Sequence, residues 1–144
     1  MLGFPPGQDK ALADWTQAVA YLEKLGLASP RVRTETVGAT TEGRPFLLLT
    51  ISAEKNLRRL EQIRRAHLQL ADPRGVSAAQ AGRLVERQPT VVVLTHAIHA
   101  TEVAGMQTAL ETAWLLASTQ DPALLKVLDE TIVLLVPSQN PDGA

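Results

Sequence analysis

Two short runs of this sequence carry side chains that could do chemistry together. The first is Thr95-His96-Ala97-Ile98-His99-Ala100-Thr101-Glu102. His99 and Glu102 stand three positions apart, so a chain that begins to turn helically there sets an imidazole and a carboxylate on one face. That pair suits a divalent metal such as zinc, which binds both donor types at about 2.0–2.2 Å. Ala100 and Thr101 are small and let the backbone curl around an ion. His96 and His99 repeat the spacing, so His-x-x-His is a second arrangement. A hydrogen-bonded structural histidine is the plain alternative to either. The second run, Asn140-Pro141-Asp142-Gly143, has turn chemistry. Pro fixes φ, Gly accepts positive φ, and Asn and Asp bond back to the backbone. On its own it reads as an ordinary turn.

The elements that must position these runs alternate between helix and strand. Leu12, Trp15, Val19 and Leu22 recur at helical spacing and predict a helix from about Asp9 to Leu25, stopped at Gly26. Val32 to Val37 and Pro45 to Ile51 read as strands joined by the polar turn Gly38 to Gly43, an antiparallel hairpin. Ser52 is expected to cap a second helix running to about Leu70, with Leu57, Leu60, Ile63 and Leu70 on one face. Arg58, Arg59, Arg64 and Arg65 on that helix are interleaved with Glu54 and Glu61, a solvated face rather than a binding patch. His67 sits in the same helix and reads as structural. Ser77 with Gln80 fits a capping box for a short helix ending before Pro89.

Thr90 to Thr95 is continuous and β-branched, which predicts a strand buried on both faces. A helix from about Glu102 to Ala117 follows, with Val103, Met106, Leu110 and Trp114 toward the core. Asp121-Pro122 supplies a cap and a first-turn proline for a short helix, and Thr131 to Val136 is a second buried strand. Buried strands separated by helices imply an α/β domain with a largely parallel central sheet. Ligands of such sheets bind outside the carboxyl ends of strands. Both chemical runs fall there.

The combination resembles a known family. Ile98-His99-Ala100-Thr101-Glu102, then a helix, a strand and Asn140-Pro141-Asp142-Gly143, is similar to the zinc metallocarboxypeptidases of the carboxypeptidase A type. Thr41-Glu42-Gly43-Arg44-Pro45 before an apolar strand looks like that family's hairpin. The likeness runs from about Tyr21 onward. It implies a three-layer α/β/α fold around a mixed, largely parallel sheet, and it makes residues 1–144 the N-terminal portion of a single catalytic domain. It implies that His99 and Glu102 are the first two ligands of a catalytic zinc, with His96 a group behind the ligands and Asn140 and Asp142 in a turn beside the cleft. The implied reaction is hydrolysis of peptide bonds by metal-activated water, on peptide or protein substrates.

In that family the third zinc ligand, the general-base Glu, the oxyanion Arg and an Asn-Arg pair lie beyond this turn, so the general base is expected beyond Ala144. Thr101 stands where many relatives carry a larger or basic residue. Two other functions fit the same residues: a zinc deacylase of related fold acting on N-acyl amino acids, and a truncated non-catalytic module. An incomplete sheet is expected, with Ile132 to Val136 at an open edge through which the isolated chain self-associates.

Composition narrows the field further. The chain has 144 residues, Lys+Arg 14 against Asp+Glu 15, and 45% hydrophobic residues. That suits one globular core and argues against disorder. A net charge of -1 gives no electrostatic reason to expect nucleic acid. Cys 0 rules out disulfides, thiolate zinc sites and a cysteine nucleophile. No apolar stretch approaches the ~20 residues of a membrane span. The opening run Met1 to Gly7 lacks a basic segment followed by an apolar one, so no signal peptide is expected as the sequence stands. The resemblance implies export, secreted or periplasmic, after removal of a leader; a cytoplasmic location also fits.

Overall fold

The computed structural model describes residues 2–144; Met1, and with it the start of the run read for a signal peptide, lies outside them. A four-stranded mixed sheet has the order β1-β2-β4-β3, built from β1 (Val32–Ala39), β2 (Pro45–Ile51), β3 (Thr90–Thr95) and β4 (Thr131–Val136). The hairpin β1–β2 is antiparallel, as is β2–β4, and the parallel part of the sheet is the pair β3–β4. Helices α1 (Trp15–Ala28) and α5 (Ala104–Ser118) pack on one face of the sheet. Their Trp15, Ala18, Leu22, Ala109, Leu110 and Ala113 close over Leu47, Leu49, Val133 and Leu135. On the opposite face α3 (Leu60–Ala71) turns Ile63 toward Ile132 and Leu134. The expected three layers are therefore present. Among the described residues no helix is long and apolar enough to cross a membrane.

Helix α1 starts later than its apolar period suggests. Asp14 accepts from the Gln17 N–H at 2.8 Å, and the Gln17 side chain accepts from the Asp14 N–H at 3.1 Å. This capping box begins the helix after Asp14 rather than at Asp9, and Lys10 upstream has φ of 58°, outside the helical region. Gly26 does not stop the helix but lies inside it. A Cβ there would stand 2.7 Å from Thr34 Oγ1, so the glycine permits close approach of α1 to β1.

Ser52 does not cap the next helix. Its hydroxyl sits 3.0 Å from the Leu128 carbonyl and 2.7 Å from that of Thr131. Asn56, fully buried, donates to Ser52 Oγ and to the Asp129 carbonyl, each at 3.0 Å. The helix α6 (Pro122–Glu130) runs directly into β4, leaving carbonyls without helical partners, and these two side chains with the Ala53 N–H supply donors. The predicted helix from Ser52 to Leu70 is accordingly two, α2 (Glu54–Arg58) and α3, broken at Arg59. The Ser77–Gln80 box opens α4 (Ala78–Arg87), and Asp121 caps α6, both as expected.

Two burial expectations are corrected. β4 is paired on both sides, and the edge strands are β1 and β3, the latter with Val93 59% exposed. A β-branched run thus marks an edge strand here, because only Leu94 of β3 reaches the main core. On α5, Trp114 is 51% exposed and Val103 precedes the helix, since the buried stripe runs through Met106, Ala109, Leu110, Ala113 and Ala117.

Two measurements test this arrangement. The 144-residue chain is expected to self-associate through β3 rather than β4, and Val93→Lys is expected to shift it toward monomer. Sedimentation velocity at high concentration reads both; a monodisperse monomer for the unsubstituted chain sinks the idea. The arginines of α3 are neutralised locally, with Arg64 and Arg65 at 2.8 and 2.9 Å from Glu61. Hydrogen bonds from Arg64 and then Arg65 bring the Glu61 carboxyl down from 4.5 to about 2. A lowered carboxyl stabilises the fold above pH 4.5 and loses that contribution as pH falls toward 2. Carboxyl NMR at low salt should find this depressed midpoint; an ordinary one would show that the pairs do not persist in solution.

Candidate metal site at the strand ends

Parallel pairing decides where the two chemical runs meet. β3 and β4 are in register from Thr90↔Thr131 to Thr95↔Val136. The ladder continues past both strands: His96 N–H donates to the Val136 carbonyl at 3.1 Å, and Gln139 N–H donates to the His96 carbonyl at 2.9 Å. Both strands therefore release their chains at the same end of the sheet.

Beyond His96 the backbone turns sharply. Ala97 has φ of 49°, a left-handed conformation uncommon for a residue with a Cβ. Its carbonyl accepts from the Ser138 hydroxyl at 3.2 Å. The first turn of α5 packs directly on it, since a Cβ on Gly105 would lie 3.0 Å from Ala97 N. Between these fixed points His99 to Glu102 forms one turn, closed by the Glu102 N–H on the His99 carbonyl at 3.1 Å. That turn brings His99 Nδ1 to 3.0 Å from Glu102 Oε1, with the two side chains 68% and 62% exposed.

The pair borders a cleft of about 200 Å³, the space open to water-sized groups, lined also by Met106, Gln107, Asn140 and Gly143. The Asn-Pro-Asp-Gly run folds as a 3₁₀ turn (Pro141–Gly143) forming the facing wall. It sits tightly: a Cβ on Gly143 would lie 2.7 Å from Asn140 Nδ2 and 2.9 Å from Ala100 Cβ. Glycine is what lets the two turns touch.

The sequence-predicted residues divide by location. His99, Glu102 and Asn140 line the cleft. Asp142 faces the β1–β2 hairpin instead, where its carboxylate accepts from the Thr40 hydroxyl and from the Glu42 N–H at 3.4 Å. His96 does not line the cleft, and its Nδ1 is buried without a hydrogen-bond partner among the described residues. His67 is remote from the cleft, its Nε2 3.0 Å from the Pro89 carbonyl. Two contributors had no site role assigned from the sequence. Gln107 lines the cleft while holding both the N–H and the carbonyl of Ala13, at 3.3 and 3.2 Å. Nothing in its sequence context marks it. Arg44, within the Thr-Glu-Gly-Arg hairpin, donates to the Pro141 carbonyl at 2.9 Å.

The donor set fits part of a zinc site. A tetrahedral ion holding a nitrogen and an oxygen at ~2.1 Å separates them by about 3.4 Å, close to the His99–Glu102 spacing. Among the described residues no third His, Asp or Glu joins the pair in a metal-binding group. The pair supplies two donors, fewer than the four positions of a tetrahedral zinc.

Comparison with solved structures shows the fold. Carboxypeptidase A from Helicoverpa armigera superposes with a TM-score of 0.60 at 19% identity, over 91% of this chain and 25% of that one. A putative carboxypeptidase A from Shewanella denitrificans gives 0.62 at 19%, over 92% and 27%. The fold is that of the carboxypeptidases. The sequence profile described as zinc carboxypeptidase matches residues 18–144, and the chain belongs to that family. Carboxypeptidase D from Mus musculus is 31% identical over 140 residues, covering 94% of this chain and 9% of the relative. Its Rattus norvegicus counterpart is 30% identical over 138 residues, again covering 94% and 9%. The chain thus spans a small fraction of the curated relatives and about a quarter of the solved carboxypeptidases.

The contact between the two turns is directly testable. Gly143→Ala is expected to destabilise the protein by about 1–3 kcal/mol, because the added Cβ would meet Ala100 Cβ at 2.9 Å and force one of the two turns to shift. Urea denaturation reads it, and an unchanged midpoint would mean that the turns are not in contact.

Proposed function

We propose that residues 1–144 form the N-terminal portion of a metallocarboxypeptidase catalytic domain, in which His99 and Glu102 are two protein ligands of a zinc ion. Family membership supports the chemistry. The observation that carries the residue assignment is the approach of His99 Nδ1 to Glu102 Oε1, 3.0 Å apart at the border of the strand-end cleft.

In this reading each residue of the chain has a defined part. His99 offers a nitrogen and Glu102 an oxygen to the same point in space, held there by the turn they close. Asn140 and Gly143 form the opposite wall, against which a peptide or protein substrate lies. His96, half-buried, anchors the strand end behind the turn through its backbone bonds to Val136 and Gln139. Bound zinc contributes Lewis acidity and a water of lowered pKa. A third ligand and a general base come from sequence beyond Ala144, as the resemblance implies. With two ligands alone zinc is held weakly, so the 144-residue chain by itself is a poor catalyst.

The test uses the complete protein that contains this segment. His99→Ala and Glu102→Ala are each expected to abolish retention of stoichiometric zinc after dialysis. Each should also lower kcat/KM on peptide substrates by more than the 10–100-fold typical of losing an outer-shell partner. Both side chains are exposed, so circular dichroism should show the fold unchanged. Zinc and hydrolysis retained in either variant would rule out the assignment. Cleavage of N-acyl amino acids in preference to peptides would make the protein a deacylase. An unsubstituted protein with neither zinc nor hydrolysis would be a non-catalytic module.

A further inference from the structure

The hairpin turn joining β1 to β2 lies about a hundred residues from the Asn-Pro-Asp-Gly turn in sequence, yet the two are locked together by side chains. Arg44 is the centre of the lock. One guanidinium nitrogen donates to the Pro141 carbonyl at 2.9 Å and to the Ala144 carbonyl at 3.2 Å. The same group lies 3.4 Å from a Glu42 carboxylate oxygen and 3.9 Å from Asp142. Thr40 completes the set, donating to Asp142 Oδ1 while its hydroxyl accepts from the Arg44 N–H at 3.0 Å. Glu42 N–H donates to the other Asp142 oxygen at 3.4 Å.

The carbonyls gripped by Arg44 bracket the turn. One precedes Asp142 and the other follows Gly143, so the path of the backbone between them is set from outside. That backbone is the wall of the cleft: Asn140, Gly143 and Ala144 line it opposite His99 and Glu102. None of the hairpin residues lines the cleft itself. We infer that Arg44, with Thr40 and Asp142, is a positioning unit that fixes the cleft wall, and hence the distance between the His99–Glu102 pair and whatever lies against that wall. The inference rests on the zinc-site reading for its catalytic consequence, but its structural half stands without it. A planar guanidinium can serve two carbonyls and two carboxylates from one place, whereas a lysine ammonium cannot keep that fork geometry. Arg44→Lys is therefore expected to rescue only partly.

The experiment compares Arg44→Ala, Arg44→Lys and Arg33→Ala in the complete protein. Arg33 is on the same hairpin and pairs locally with Glu35, so its loss controls for charge and for β1. Hydrogen exchange followed by mass spectrometry should show the segment 138–144 exchanging about tenfold faster in Arg44→Ala, with β4 unchanged and Arg33→Ala like wild type. Zinc content should stay at the wild-type level, because Arg44 touches neither proposed ligand. At a temperature where the variant is fully folded, kcat/KM should fall roughly ten- to a hundredfold, as expected of a misplaced wall, with Arg44→Lys intermediate. Unchanged exchange in 138–144 overturns the proposal whatever the activity. Faster exchange with unchanged kcat/KM overturns its catalytic half. Loss of zinc together with activity in Arg44→Ala would show a collapse of the metal turn instead of a moved wall, and also overturns it. A wild type without zinc or hydrolysis defeats the zinc reading, and leaves the exchange comparison to decide the positioning role.

Discussion

Parallel pairing of β3 with β4 is the constraint on which the site depends. Antiparallel neighbours would release their chains at opposite ends of the sheet and leave the His-x-x-Glu turn and the Asn-Pro-Asp-Gly turn a strand length apart. The six paired positions, extended by the His96 and Gln139 amides, instead hold both exits side by side. A one-residue slip would reverse every side chain of β3 and move Leu94 out of the core. Register is thus enforced by the same burial that stabilises the domain, and the geometry of the cleft comes with it.

The opposite end of β4 shows how that strand is entered. α6 passes into β4 without an intervening loop, so carbonyls at the junction need donors from elsewhere in the chain. The Ala53 N–H serves that of Leu128, while Ser52 serves that of Thr131 and Asn56 that of Asp129, and both side chains are fully buried. A buried carbonyl left unpaired costs about 1–3 kcal/mol, which makes this small polar cluster as necessary to β4 as the leucines around it. At the other exit His96 Nδ1 is buried with no partner among the described residues. One end of the strand pair is polar and satisfied; the end near the cleft retains an unused donor or acceptor.

Much of this was legible in the sequence, for identifiable reasons. The four strands, the hairpin, and the caps at Ser77 and Asp121 follow from local rules: β-branched runs, turn residues and side chains that reach their own backbone. The two halves of the site were legible because each is a short run with fixed internal spacing. The start of α1 is a local misreading, set by the capping box at Asp14; those at Ser52, β3, Asp142 and Gln107 are tertiary. Ser52 looks like a cap but is claimed by carbonyls nearly eighty residues away. The valines of β3 look buried but lie at an edge, a property of strand order that composition does not encode. Asp142 belongs to a turn that lines the cleft, yet its carboxylate points to the hairpin, because Thr40 and Glu42 compete for it from the far side of the chain. Gln107 carried no signal, since its partner Ala13 is fixed only when α1 and α5 have packed.

The bridge between residues 40–44 and 140–144 also has a temporal meaning. Closing a loop of about a hundred residues is among the most entropically demanding contacts in the domain, and no local preference helps it. The hairpin and α1 rest on contacts close in sequence, whereas β4 and the turn after it join them only through contacts spanning most of the segment. The two walls of the cleft are thus brought together late in folding, after β4 has found both of its neighbours.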